Sequence, residues 1–410
     1  MGHRGPGLAG LLALSGLLVL ASCDQASNRV STLWTNVPEM AAYVEKFNAS
    51  QREWQILVEF KDDPAPLLLT PGRKADLIVA RGLASAEVKN TMVPLEFLFD
   101  GGGLAKASFY RRITEAGQQG DKFKLLPVSF DLPVLVFSRK VVPDLPGFSV
   151  DPETLKSLGT RFAFAADQKV PRKLAFSPRW ESFGLALLQL RGAAFQEGFQ
   201  GTLTWDSAHL VEGNNLVRTW PSPGWDATTE FQRKYLQGDP TPPLIAGRVQ
   251  FYPTTLAEFA SRPWEERRGL DFRFVDQGGK VIATDNTVWA GIPSSSLTRG
   301  AGERFLRWFF QTDVQRGLLV QTRSDDDRNF GLARGLSSLV ATNQGALVEA
   351  FPEMAGRLPG SDDINFWGPL PADWSVLKTT VLRPWLEAAD GTEATLRTAL
   401  DKHRSQASRN

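Results

Sequence analysis

Hydrophobic and polar positions alternate along this chain in two registers. Val30–Thr35 (VSTLWT), Trp54–Phe60 (WQILVEF) and Asp76–Ala80 (DLIVA) are short apolar runs rich in β-branched residues, which predicts strands. Between the first two, Met40, Val44 and Phe47 recur at helical spacing and predict one apolar helix face. Asn36 is placed to cap that helix, with Glu39 three residues on and Pro38 in the first turn. Strand, helix, strand, short helix, strand implies a parallel sheet with right-handed crossovers, whose ligands sit off the carboxyl ends of the strands. Those ends are Trp34-Thr35-Asn36, Lys61-Asp62-Asp63 and Arg81-Gly82.

The next stretch, Lys124–Lys140 (KLLPVSFDLPVLVFSRK), organises the rest. It is almost continuously apolar, as a strand buried on both faces would be, and Pro127 and Pro133 exclude a helix. A polar island, Ser129-Phe130-Asp131, interrupts it and needs partners if buried. Two readings stand: a strand followed by a turn, or a strand that leaves one lobe, crosses a cleft and enters another. Farther on, Lys173–Phe176 reads as a strand, followed by a turn carrying Trp180 and an apolar helix over 182–191. Asp226–Leu236 reads as a helix. Ala246–Tyr252 is a strand with Pro253-Thr254-Thr255 in its terminal loop, and Phe272–Val275 with Val281–Ala283 flank Gly278-Gly279 as a hairpin. Asn286–Pro293 (NTVWAGIP) reads as a return crossing that contains Trp289. Residues 302–320 read as one amphipathic helix with Phe305, Trp308 and Phe309 on its apolar face, and 331–339 as a third crossing. Residues 340–390 read as helices with Pro-Gly breaks, and the last twenty residues as a polar, frayed tail.

The N-terminus stands apart. Arg4 precedes an apolar run, Leu8–Leu20, that is too short to span a bilayer, and Leu20-Ala21-Ser22-Cys23 matches the lipobox cut before the cysteine in bacterial lipoprotein precursors. Cys23 is the single cysteine of the 410 residues, which excludes an intramolecular disulfide, and lipidation would account for it. Asp24 matches a residue associated with retention at the inner membrane. The chain carries 46 Lys and Arg against 45 Asp and Glu, so its charge gives no argument for nucleic acid. His209 and His403 are the histidines beyond the leader, too few for a His-based metal site, and no cofactor is expected. Gly101-Gly102-Gly103 lacks the P-loop lysine and the dinucleotide-binding spacing. The chain has 12 Trp and 26 Phe against 4 Tyr, a surplus that suits cores and also stacking pockets.

Several of these segments resemble extracellular solute-binding proteins of ABC importers, of the carbohydrate type. Leu126-Pro127 through Ser138 resembles the family's first hinge crossing, and Leu33–Asn48 with Lys74–Ile78 the opening of its N-terminal lobe. Ala246–Tyr252 resembles a second-lobe strand, and Phe305, Leu306, Trp308 and Gln315 fall on a helix motif of the family. The loop after the second-lobe strand (YPTTLAEF) departs from the pattern by lacking a Trp. The resemblance implies an α/β, two-lobed periplasmic-binding-protein fold of type II, with two mixed or parallel sheets flanked by helices and three hinge crossings. It places a signal peptide at 1–22 and a lipidated tether at 23–29. The N-terminal lobe takes 30–128 plus 293–328, and the C-terminal lobe 135–284 plus 336–390. Crossings lie at 129–134, 285–292 and 329–335, and a polar tail at 391–410.

The implied function is capture of a small solute, a sugar or oligosaccharide, by a monomer outside the cytoplasmic membrane that delivers it to ABC permease subunits. The expected ligand-binding residues are Trp34, Asn36, Asp62, Asp63, Arg81, Ser129, Asp131, Trp180, Thr254 and Trp289, with Trp308 in the core. A carbohydrate-active enzyme is the alternative. It would need two carboxylates about 5–9.5 Å apart across the cleft, and the acidic pairs at Asp62-Asp63 and Asp325-Asp326-Asp327 read first as solvated turns. No nucleophile elbow, HExxH or Walker motif supports the enzyme reading. A sensing or structural lipoprotein is a third class.

Overall fold

A computed structural model describes residues 29–101, 103–162, 171–180, 183–220, 225–324, 329–388 and 390–407. The leader, the lipobox with Cys23 and the acidic triplet at 325–327 lie outside them.

Two six-stranded sheets form the frame. The first runs in the order Leu336–Ser337, Leu126–Phe130, Val288–Gly291, Leu77–Arg81, Arg29–Thr35, Trp54–Phe60. Its three N-terminal strands are parallel, as the strand–helix–strand pattern requires, with Leu33 opposite both Val58 and Leu77. Val288–Gly291 enters antiparallel between Leu77–Arg81 and Leu126–Phe130. The second sheet runs Tyr252–Thr255, Pro133–Ser138, Leu270–Gln277, Lys280–Ile282, Ile364–Asn365, with Ser149–Val150 also paired to Leu270–Gln277. Gly278 and Gly279, both with positive φ (60° and 76°), make the two-residue hairpin turn that glycine alone enters without strain. Each sheet with its helices is one lobe.

The chain passes between lobes at Asp131-Leu132, joining Leu126–Phe130 to Pro133–Ser138, and again at 283–287, joining Lys280–Ile282 to Val288–Gly291. The expected crossings at 129–134 and 285–292 include strand residues of the two sheets, 133–134 and 288–291. Instead of crossing at 329–335, the chain touches the second lobe, with the Phe330 amide donating to Ser261 Oγ (2.9 Å), and turns back. A reversal between Gly331 and Gly335 makes this turn. A Cβ on Gly331 would lie 1.9 Å from the Gly335 carbonyl oxygen, and Ala333 and Arg334 take left-handed φ of 49° and 59°. Leu336–Ser337 then closes the edge of the first sheet. Glu349 pairs with Arg316 of helix Thr312–Ser324, which keeps 340–350 on the first lobe. Second-lobe contacts begin at Glu353, paired with Arg267, and at Arg357, whose guanidinium lies 3.9 Å from the Phe272 ring centre.

Two further expectations change. The span expected as one helix over 302–320 is two helices, Arg299–Phe309 and Thr312–Ser324. Trp308 packs edge-on to Phe47 (5.5 Å) on the first of them, and Gln315, fully buried, lies on the second. The tail expected to fray contains the helix Glu393–Ala407. Leu396 and Leu400, one turn apart, are both buried and fasten it to the second lobe. Among the described residues no helix is long and apolar enough to cross a membrane.

Candidate functional site

Three adjoining hollows share walls: those of about 290 and 450 Å³ lie between the lobes, and one of about 180 Å³ is walled by the second lobe and the second passage. Asn286, in the second passage, lines all three. It stands where both lobes and the hinge meet.

The first lobe brings strand ends. Asn36 does not cap the helix after it, which begins at Met40 with no side-chain cap. Its Oδ1 instead accepts from the Arg81 amide (2.9 Å), while Nδ2 lies 3.4 Å from the carbonyl oxygens of Asp62 and Arg81. One amide thus ties the ends of three parallel strands and holds Asp62, Asp63, Arg81 and Gly82 along the 290 Å³ hollow. Burial raises the Asp63 carboxyl above its usual range, opposed by the Ala65 amide and reinforced by the charge of Asp373. Arg81 reaches into the 450 Å³ hollow and donates to the Ala333 carbonyl (3.2 Å). Burial lowers its pKa, and Arg334 adds to that while Glu39 and Asp131 oppose it. Glu39, the expected capping-box acid, pairs with Arg334 (2.7 Å).

Ser129 and Asp131 line the same hollow beside the first passage. The Asp131 carboxylate accepts from the amides of Leu132 (2.8 Å) and Ala257 (3.1 Å), and its carbonyl accepts from Thr284 (2.8 Å) of the second passage. That answers the demand for partners made by a polar island in an apolar run. Burial raises its pKa to about 6, opposed by a hydrogen bond from the Thr255 side chain and by the Leu132 and Ala257 amides, with the charge of Glu258 adding to the rise. Thr254 lines the 180 Å³ hollow and bonds Glu258 (2.6 Å).

The three tryptophans expected in the cleft are elsewhere. Trp34 is 7% exposed, donates to Glu59 (3.0 Å) and lies under the Lys61 ammonium. Trp180, 1% exposed, stacks on Phe231 and meets Phe176 edge-on. Trp289, 2% exposed, packs against Phe366, and Gly117 leaves room for its ring. None of the three lines any of these three hollows. Trp34 and Trp289 lie on strands and leave through covered faces of the first sheet, and Trp180, in a turn, packs into the second-lobe core.

The aromatic wall comes from 366–378, within the span where the sequence predicts helices with Pro-Gly breaks. Trp367 borders the 180 Å³ hollow and Trp374 the 290 Å³ hollow, their ring centres 5.6 Å apart. The Trp367 indole donates to the Ala283 carbonyl (2.8 Å). The Trp374 indole donates to Asp285 Oδ2 (2.6 Å), and Lys378 donates to both oxygens of the same carboxylate (2.7 and 2.9 Å). Asp285 and Lys378 border both hollows, so this triad stands between them and fixes two rings' neighbourhood to the hinge. One signal could have found these residues. WGPLPADW sets two Trp in a Pro-Gly-rich stretch without apolar periodicity, where no helix face accounts for them.

Carboxylates, an amide, hydroxyls and cations beside indoles can hydrogen-bond a polyhydroxylated ligand while apolar ring faces pack on its C–H surface. Among the described residues no group of three or more His, Cys, Asp or Glu could hold a metal ion.

No protein-family model matches the chain, and no curated protein matches it. Solved structures do. The sugar-binding protein MalE from the phytopathogen Xanthomonas citri is 10% identical with a TM-score of 0.66, over 93% of this chain and 100% of that one. An ABC substrate-binding protein from Listeria monocytogenes in complex with cycloalternan is 11% identical, with a TM-score of 0.64 over 93% and 99%. The cyclic α-maltosyl-1,6-maltose binding protein from Arthrobacter globiformis is 14% identical, with a TM-score of 0.61 over 91% and 96%. At such identities the likeness speaks for architecture, and the chain has the two-lobed α/β fold of these substrate-binding proteins.

Proposed function

We propose that this protein is the substrate-binding component of an ABC importer, that it captures a sugar or oligosaccharide between its lobes, and that it performs no chemistry on it. The observation that carries this reading is the cleft itself. Asn286 is common to three adjoining hollows, with strand-end polar groups on one side and Trp367 and Trp374 on the other. The shared architecture with proteins solved with cycloalternan, mannotriose and acarbose supports it. The ligand contacts are Asn36, Asp62, Asp63, Arg81, Ser129, Asp131 and Thr254 from the sequence reading, joined by Asn286, Trp367 and Trp374. The lobes close about the passages at 131–132 and 283–287, a few residues absorbing the rotation. The lipobox supports attachment through Cys23 to the outer face of the cytoplasmic membrane, next to the permease.

A thermal-shift panel of malto- and manno-oligosaccharides tests the binding reading. A true ligand at a hundredfold its Kd stabilises the fold by about 2.7 kcal/mol, with no new reducing ends on prolonged incubation. A panel with no shift and with steady release of reducing sugar overturns it. For the anchor, Cys23→Ala abolishes palmitate labelling, and retained label refutes the assignment.

A further inference from the structure

The hairpin made by Gln196–Glu197 and Leu203–Thr204 belongs to the second lobe. There the Glu197 amide donates to Pro369, and the Phe195 amide to Gln189 Oε1 (2.9 Å). Its carboxylate, however, points at the first lobe. Oε2 of Glu197 accepts the amide hydrogen of Ala86, and the Glu87 amide also donates to this carboxylate. These are the first two residues of helix Ala86–Asn90, whose opening amides have no partner within the helix. Ser85 Oγ takes the Val88 amide (3.2 Å), so the two remaining donors are satisfied from across the molecule. At the hairpin tip Gly201 lies against Glu87: a Cβ there would be 3.6 Å from its Oε1.

Ala86 follows Arg81 and Gly82, cleft-lining residues at the carboxyl end of Leu77–Arg81. The contact therefore joins the facing ends of the two lobes and breaks when they separate. The contact is half-buried, with Ala86 and Glu197 partly covered and Glu87 exposed. Lys89, on the same short helix, is buried with its ammonium on the carbonyls of Ala116 (3.0 Å) and Gln118 (3.2 Å). Burial lowers its pKa to about 8, partly offset by the charge of Glu197. Glu197 is itself raised by burial and by Glu87, and lowered by the two amides and Lys89. A carboxylate accepting from two backbone amides makes charge-assisted bonds, stronger than neutral ones.

We infer that this hairpin is a latch: the Glu197 carboxylate, seated on the free amides of Ala86 and Glu87, holds the two lobes in the closed arrangement. It acts with or without a solute in the cleft, so its test needs none.

The test measures the distance between lobes in the ligand-free full chain by energy transfer. Dyes are placed through Ala49→Cys and Ser157→Cys, both exposed, in a Cys23→Ser background. Glu197→Ala is expected to raise the open-to-closed ratio about tenfold, equivalent to about 1.4 kcal/mol. Ala86→Pro removes one of the amides from the other lobe. Proline is well suited to the first helical position, and Ser85 already has the extended backbone (φ −65°, ψ 151°) that a following proline requires. It is expected to shift the ratio in the same direction by a smaller factor, and the double variant to go no further than Glu197→Ala. Distances unchanged or shortened in both variants overturn the latch. Should Glu197→Ala not fold, Ala86→Pro decides alone.

Discussion

The two sides of the cleft are built from different materials. The first lobe contributes Asn36, Asp62, Asp63 and Arg81, all at the carboxyl ends of parallel strands, while its tryptophans Trp34 and Trp289 are buried. The second contributes Trp367, Trp374, Phe183 and Lys378, from turns and helices. The difference teaches where an indole can serve a ligand. Strand ends offer backbone groups and short polar side chains to the cleft. A tryptophan on the strand itself is turned onto a sheet face and covered. Trp367 and Trp374, on the Pro-Gly-rich segment, border hollows although only 3% and 7% exposed, whereas Trp180, also in a turn, packs into the core.

The largest effect should separate the two kinds of tryptophan. Trp289→Ala empties a core site and should cost about 3–5 kcal/mol of folding stability, read as a lowered urea midpoint, with affinity per folded molecule unchanged. A Trp289→Ala protein that unfolds like the parent but binds weakly would put this ring back in the site. Next in size is a contrast at the hinge between the walls. Asp131 has a folded pKa of about 6, above the ordinary carboxyl value near 3.9. A carboxyl raised by folding favours the folded state when protonated. Its contribution is complete below about pH 4 and is lost as pH rises through about 6. Asp131→Asn keeps an acceptor for Leu132 and Ala257. It should flatten that part of the stability–pH curve and, on the order of 1–3 kcal/mol, raise stability at pH 7. An unaltered slope between pH 4 and 6 would remove Asp131 as its source. The smallest effect tests the aromatic wall. Trp374→Phe keeps a ring but removes the indole donor to Asp285, and should weaken solute affinity about tenfold, near 1.4 kcal/mol, by calorimetry. Equal affinity in Trp374→Phe and parent would show that this wall does not touch the ligand.

Much of the frame was legible in the chain, for a physical reason. Interior strands of a covered parallel sheet are apolar on both faces, so DLIVA announces itself, and VSTLWT and the half-exposed edge strand WQILVEF stand out as short runs rich in β-strand formers. The polar island at Ser129–Asp131 stood out because buried polar groups need partners, which Asp131 finds in the amides of Leu132 and Ala257. What was illegible lies where periodicity carries no signal. The segment from 343 to 382 includes two π-helical turns and two 3₁₀ turns, so neither Trp367 nor Trp374 falls on a repeating face. The fold-back at Gly331–Gly335 depends on a contact between two backbones, which no hydrophobic pattern records. The helix Glu393–Ala407 was hidden because two leucines sufficed to dock an otherwise polar stretch.

The late return of the chain to the first sheet has a consequence for how the protein is made. Leu336–Ser337 forms the edge next to Leu126–Phe130, and Val288–Gly291 fills the gap between that strand and Leu77–Arg81. A growing polypeptide thus carries an incomplete sheet, with unpaired strand edges, until four-fifths of its length has been synthesised. Pairings so distant in sequence form slowly. Neither lobe can be finished as an early product of translation, so the emerging chain stays open and threadable almost to its last residues, and must be kept from sticking to its neighbours throughout that interval.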